Sequence, residues 1–141
     1  MTPDEITLIR QGYERIAPVA ERFGLALYER VFALDPSSRA LFRGDMRVQV
    51  GHFMAALGMF VQSLDNLAPM LEQIQALGRR HASYGVQQRH FGIGGVALLA
   101  TLEAELGDGF TPQARVAWTR AYETLTGAMI AAMAEHLPQA A

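Results

Sequence analysis

The chain has 141 residues, of which 50% are hydrophobic, and its formal net charge at pH 7 is −2. This length predicts one domain spanning residues 1–141, and the lack of a basic excess argues against a nucleic-acid-binding protein. The absence of cysteine excludes disulfides, iron–sulfur clusters and cysteine nucleophiles. No basic and apolar leader opens the chain, and no apolar run reaches about 18 residues, so we expect a cytoplasmic protein without a membrane span.

Helical periodicity dominates the sequence, and no strand alternation is visible. The first helix is predicted to begin at a capping box, because Thr2 and Glu5 have the spacing at which each side chain caps the other's backbone amide. Pro3 suits the first turn of that helix, and Pro18 interrupts it. A second helix follows, with apolar residues every three to five positions. Asp35 is then the predicted cap of a short helix that ends near residue 42.

Further helices are predicted in the rest of the chain, and the first of them is a long helix over residues 47–64. In the next helix, His81 shares one face with Leu77, which makes the histidine inward-facing. Gly85 ends this helix, since glycine is the usual residue after a helix C-terminus. Two more helices are expected over residues 91–106 and from residue 112 onward, and residues 138–141 are expected to fray. Six or seven helices in one domain predict an all-α fold.

Motifs for several other chemistries are missing. The four histidines form no pair at metalloprotease spacing, and the sequence contains neither a P-loop nor a nucleophile elbow. The glycine-rich segment 92–95 follows no strand, so we interpret it as a site of close helix packing. His90 is interpreted as a helix cap, with contact to a cofactor carboxylate as the alternative, and His136 as a surface residue.

The order and spacing of one set of residues are distinctive. The set consists of Pro36, Phe42, Gln49, the run Leu77-Gly78-Arg79-Arg80-His81, the segment from Phe110 to Trp118, and Tyr122. Together these residues resemble the globin family, and in particular single-domain bacterial haemoglobins, flavohaemoglobin globin domains and neuroglobins. The resemblance extends from about residue 5 to residue 133. It implies six to eight helices in a 3-over-3 sandwich around a pocket for haem b.

The resemblance implies a haem site made of His81, Phe42, Tyr28, Gln49, Phe53 and Val86. In that site His81 is the proximal iron ligand, a role for which imidazole is well suited. Tyr28 and Gln49 are hydrogen-bond donors on the distal side. Dioxygen bound there carries partial negative charge, so two such donors would slow its release by roughly tens of fold.

The chain departs from the flavohaemoglobin pattern beside the proximal ligand. In that pattern a tyrosine and a glutamate of the last helix support the histidine, and such support raises ligand basicity. Tyr122 matches the tyrosine, but Met133 stands where the glutamate is expected. Glu135 lies about 200° around the helix from that position and is not expected to replace it. The resemblance therefore implies a proximal histidine of ordinary basicity.

Two further choices remain open at this stage. His52, three residues after Gln49, is a candidate sixth iron ligand in an alternative closed site. Arg79 and Arg80 are candidates for pairing with the haem propionates, but a solvated pair of charges is an equal alternative.

The implied function is reversible binding of dioxygen, nitric oxide and carbon monoxide, with oxygen transport as the outcome. Nitric oxide dioxygenation is a further expected activity, and it would need an external reductase because the chain ends after the globin segment. The alternatives are a gas or redox sensor acting through a partner protein, and a haem-free regulatory domain. A monomer or a homodimer is compatible with the sequence.

Overall fold

A computed structural model describes residues 1–136, and these residues form six α-helices and four short 3₁₀ helices, with no strand among them. The all-α expectation is therefore confirmed, whereas the expected fraying of residues 138–141 lies outside the described residues. The α-helices are α1 (Pro3–Ile16), α2 (Ala20–Leu34), α3 (Met46–Gln62), α4 (Leu71–Ser83), α5 (Gln88–Leu106) and α6 (Pro112–His136). The 3₁₀ helices cover Ala17–Val19, Pro36–Leu41, Ala68–Met70 and Gly107–Gly109.

The predicted helix ends are present. The Thr2 hydroxyl accepts a bond from the Glu5 amide at 3.1 Å, and the Glu5 carboxylate accepts one from the Thr2 amide at 3.1 Å. Asp35 caps the 3₁₀ helix that follows it, because its carboxylate accepts from the Ser37 amide at 3.1 Å. Helix α4 ends before Gly85, whose φ of +92° lies in the region that glycine adopts without strain.

Two predicted boundaries need correction. The helix predicted over residues 47–64 is α3, which begins one residue earlier and ends two residues earlier. The helix predicted over residues 91–106 is α5, which begins three residues earlier. This earlier start has a local cause, because His90 Nδ1 accepts a hydrogen bond from the Gln87 amide at 2.8 Å and so caps the helix.

The six helices form two layers, with α1, α3 and α4 packed across α2, α5 and α6. The closest pairs include α4 with α6, α2 with both α3 and α5, and α1 with α6. The largest fully buried side chains come from four helices and lie between the layers: Ile9, Ile16, Phe23, Leu102 and Trp118. Within the described part of the chain, no helix combines the length and apolar character needed to cross a membrane.

Two close helix crossings are built around glycines. A Cβ atom added at Gly24 of α2 would lie 2.3 Å from Cγ1 of Val50 on α3. A Cβ atom added at Gly78 of α4 would lie 2.4 Å from the backbone oxygen of Met129 on α6. Because only glycine permits these approaches, the crossings fix the residues that follow them by one helical turn. Tyr28 follows the first crossing and His81 follows the second.

Candidate functional site

Tyr28 and Gln49 form a hydrogen-bonded pair where α2 crosses α3. The Gln49 amide Nε2 donates to the Tyr28 hydroxyl oxygen at 3.2 Å. Tyr28 is only 9% exposed, and burial raises the pKa of its phenol above the ordinary value of 10.0. The phenol is therefore protonated at neutral pH. Since its oxygen accepts from Gln49 and its own proton has no acceptor among the described residues, Tyr28 keeps a donor available for a third group.

Aromatic rings enclose this polar pair. The Tyr28 ring centroid lies 5.2 Å from that of Phe42 and 6.1 Å from that of Phe53, both in edge-to-face arrangements. Phe32 lies 6.2 Å from Tyr28 and 5.5 Å from Phe42, so it completes the cluster. Three of these rings were expected from the sequence, whereas Phe32 was not. Its position four residues after Tyr28 on the same helix face is the signal that predicts it.

His81 lies on α4 in a state suited to metal binding. Its Nδ1 is 2.7 Å from the carbonyl oxygen of Leu77, and because a carbonyl only accepts, Nδ1 carries the proton. Burial is the main cause that lowers the pKa of His81 below 6.5, and the charge of Arg80 acts in the same direction, whereas the bond to Leu77 opposes them. The ring is therefore neutral at pH 7, and its Nε2 presents a lone pair, as a haem ligand requires.

His81 lies beside an aromatic ring that the sequence did not predict. The nearest aromatic ring belongs to Phe91, whose centroid lies 5.8 Å from that of His81. Tyr122, which matches the tyrosine of the flavohaemoglobin pattern, donates its hydroxyl to the carbonyl oxygen of Phe91 at 2.5 Å, and Phe91 is the residue that lies beside His81. Val86 is half-buried and its amide donates to the His81 carbonyl at 3.1 Å, which places it directly after α4.

The glycine-rich segment explains how Tyr122 reaches the start of α5. A Cβ atom added at Gly94 would lie 2.8 Å from the Tyr122 hydroxyl oxygen, and one added at Gly95 would lie 2.9 Å from the Tyr122 ring. The interpretation of this segment as close helix packing is therefore confirmed. The sequence contained no signal for Phe91 beside His81, because the two residues come together only through the turn between α4 and α5.

The other candidate residues lie outside this arrangement. The His52 side chain is exposed on α3, so the structure does not place it beside Tyr28 and Gln49 as a second axial ligand. His90 is the cap of α5, as expected, and its Nε2 lies 3.7 Å from Asp35, which also pairs with Arg89 at 2.7 Å. The side chains of Glu135 and His136 lie outside the described part of the chain.

The two halves of the site fit a haem group. Helices α3 and α4 are not a close pair in the described structure, although they follow one another in the chain. One half supplies aromatic walls and polar donors, and the other supplies a single neutral imidazole. No group of three histidine, aspartate or glutamate side chains among the described residues could hold a metal ion without a cofactor. One axial imidazole beside apolar walls is the donor set that a haem-binding protein uses.

Comparison with known proteins agrees with this class. The chain matches the globin family over residues 25–129. It is 28% identical to Neuroglobin-1 of Oncorhynchus mykiss, over 92% of this chain and 90% of that protein. It is 30% identical to Neuroglobin of Danio rerio, over 86% of each chain. It is also 30% identical to the flavohemoprotein of Vibrio cholerae serotype O1, over 86% of this chain but only 32% of that protein.

The chain therefore belongs to the globin family, and it is a haem-binding globin with the all-α fold of that family. The resemblance seen in the sequence is confirmed at this level.

Proposed function

We propose that the protein binds haem b through His81 and retains dioxygen reversibly between the distal side chains of Tyr28 and Gln49. Haem iron in such a site supplies the affinity for diatomic gases. The single observation that carries the proposal is the hydrogen bond in which Gln49 Nε2 donates to the Tyr28 hydroxyl oxygen at 3.2 Å, because it orients the phenol and leaves its own proton for another acceptor. A donor positioned in this way stabilises a gas ligand with negative character.

The apolar residues contribute a second element of this function. Phe42, Phe53 and Phe32 pack around Tyr28, and we expect them, together with a bound haem, to limit the access of water to the donor pair. A hydrogen bond made in such surroundings is stronger than one made in water. The same exclusion of water protects ferrous haem from oxidation.

Oxygen dissociation kinetics test the distal assignment. We expect the dissociation rate to rise roughly tenfold in each of Tyr28→Phe and Gln49→Leu, since the first removes the donor to a partly charged acceptor and the second removes the bond that orients this donor. Tyr122→Phe is a matched control, because it also removes a buried tyrosine hydroxyl, but one that donates to Phe91. Its rate should stay within about twofold of wild type. Unchanged rates in both distal variants would show that dioxygen is not held by this pair.

We further propose that retained dioxygen reacts with nitric oxide, in the balanced reaction NO + O₂ + e⁻ → NO₃⁻. The similarity to a flavohemoprotein supports this activity, and the electron would come from an external reductase. Pulses of nitric oxide, given to the haem-loaded protein in air with an excess of reductant, should yield one nitrate per nitric oxide. Tyr28→Phe, which releases dioxygen faster, should lower that yield.

A further inference from the structure

The basic residues of this chain are all arginines, and most of them have partners. Six pair with carboxylates and two more donate to a carbonyl or hydroxyl oxygen. The side chains of four others form no hydrogen bond or ion pair with any described residue, and they lie in the two segments that contain Phe42 and His81: Arg39, Arg43, Arg79 and Arg80. Unpartnered arginines are therefore concentrated around the haem site.

Three of these four lie along one edge of the site. Arg39 and Arg43 flank Phe42, and the Arg39 guanidinium lies 5.0 Å from the ring centroid of Phe32 in the same aromatic cluster. Leu41, between the two arginines, packs 3.5 Å from the position that a Cβ atom of Gly85 would take, at the end of α4. This contact brings residues 39–43 to the end of the helix that carries Arg80. We call Arg39, Arg43 and Arg80 the arginine rim.

Arg79 does not belong to the arginine rim. On an α-helix it lies about 200° from His81, whereas Arg80 lies about 100° from it. Arg79 is half-buried and Arg80 is exposed. The two neighbours therefore carry the same charge on different sides of α4.

The charge of the whole chain is polarised in the same sense. Residues 36–52 and 77–91 contain six arginines and one aspartate, which gives them a charge of +5. The remaining six arginines and thirteen acidic residues give −7. Two of the six arginines in the basic segments, Arg47 and Arg89, pair with Glu21 and Asp35 from outside those segments, so the excess that remains unpaired comes from the other four arginines. An unpaired basic patch of this kind orients an oppositely charged partner during diffusional encounter.

We infer that the arginine rim docks an acidic electron-transfer protein, whose carboxylates surround a one-electron centre. This inference rests on the proposed function, which needs an external electron donor. Docking at the rim would bring that centre against the edge of the haem site, where the donor loses one electron and the ferric iron gains it, with no proton transferred. A compact partner fits better than an extended polyanion, because the acidic remainder of the surface repels a long polyanion.

The experiment uses the haem-loaded protein and an acidic flavodoxin as the probe. Binding of oxidised flavodoxin is measured by calorimetry, and the rate at which flavodoxin hydroquinone reduces the ferric protein is measured by stopped flow at several ionic strengths. In the double variant Arg43→Gln/Arg80→Gln we expect binding and the rate at low salt to fall about threefold to tenfold. Both should also fall with rising ionic strength in wild type, because salt screens charge pairs.

Arg79→Gln is the matched control, since it removes the same charge from the residue next to Arg80. It should change the rate by less than about twofold, because it alters only the long-range field. Reduction by lumiflavin semiquinone, a small neutral donor, should be the same in all variants. Equal effects of Arg79→Gln and Arg80→Gln on flavodoxin binding would overturn the inference.

Two further outcomes would also overturn it. If the double variant loses haem but binds flavodoxin normally, the arginines serve the haem propionates. If wild type binds phosphatidylserine vesicles more tightly than flavodoxin, and the double variant does not, the rim is a membrane contact. Oxygen dissociation rates measured on the same samples separate these results from the proposed function, because the rim lies outside the Tyr28–Gln49 pair and should leave those rates unchanged.

Discussion

The two sides of the haem site are built around different kinds of helix crossing. On the distal side, the approach of α2 to α3 at Gly24 is limited by the side chain of Val50. On the proximal side, the approach of α4 to α6 at Gly78 is limited by the backbone of Met129. A side chain can be shortened or can change rotamer, whereas a helix backbone cannot. The distal geometry is therefore open to adjustment by substitution, and the proximal geometry is fixed.

The largest expected effect comes from removing the proximal imidazole. We expect His81→Ala to lower haem affinity by at least about 100-fold, because partners outside the coordination shell already contribute tenfold to hundredfold. Haem transfer to apomyoglobin measures the affinity, and the ferrous spectrum reports the coordination. His52→Ala is the matched control on the distal side, and as an exposed residue it should change neither property. A normal five-coordinate ferrous spectrum in His81→Ala would refute the assignment of the ligand.

The two glycine crossings should differ in whether a second substitution restores the stability that is lost when the glycine is replaced by alanine. Both Gly24→Ala and Gly78→Ala should destabilise the protein by about 1–3 kcal/mol, since each forces a side chain into occupied space. Adding Val50→Ala should restore part of the loss in Gly24→Ala, because it removes the obstructing methyl groups. Adding Met129→Ala to Gly78→Ala should restore nothing, because the obstructing atoms belong to the backbone.

Urea unfolding of the haem-loaded single and double variants measures these differences. Gly127→Ala is the control, since a Cβ atom there meets nothing within 4 Å. In the middle of α6 it should stabilise the protein by about 0.5–1 kcal/mol. Rescue of Gly78→Ala by Met129→Ala would show that the proximal crossing is no more rigid than the distal one.

The sequence predicted the local parts of this architecture better than the contacts between distant segments. The capping residues Thr2, Glu5 and Asp35 act on neighbours two or three positions away, so their roles can be inferred directly. Tyr122 and Phe91 meet across 31 residues, and their contact depends on how α5 and α6 cross. Periodicity does not determine such a crossing, so the sequence alone does not predict that Tyr122 bonds to Phe91.

The smallest predicted effect concerns acid and the start of α5. Burial and the nearby Arg89 lower the pKa of His90 below 6.5, although the carboxylate of Asp35 opposes them. Because the folded pKa lies below the unfolded one, the unfolded chain binds more protons, and stability should fall as the pH decreases from about 6.5. The carboxylate of Asp35 contributes at lower pH, since Ser37 and Arg89 hold its pKa below 3.8.

His90→Gln separates this contribution from the rest of the acid response. Glutamine at this position keeps an acceptor for the Gln87 amide but has no proton to gain. Urea midpoints of the haem-loaded variant should therefore decline less than those of wild type between pH 6.5 and about 5. Equal slopes in wild type and His90→Gln would show that protonation of His90 does not contribute to the acid response.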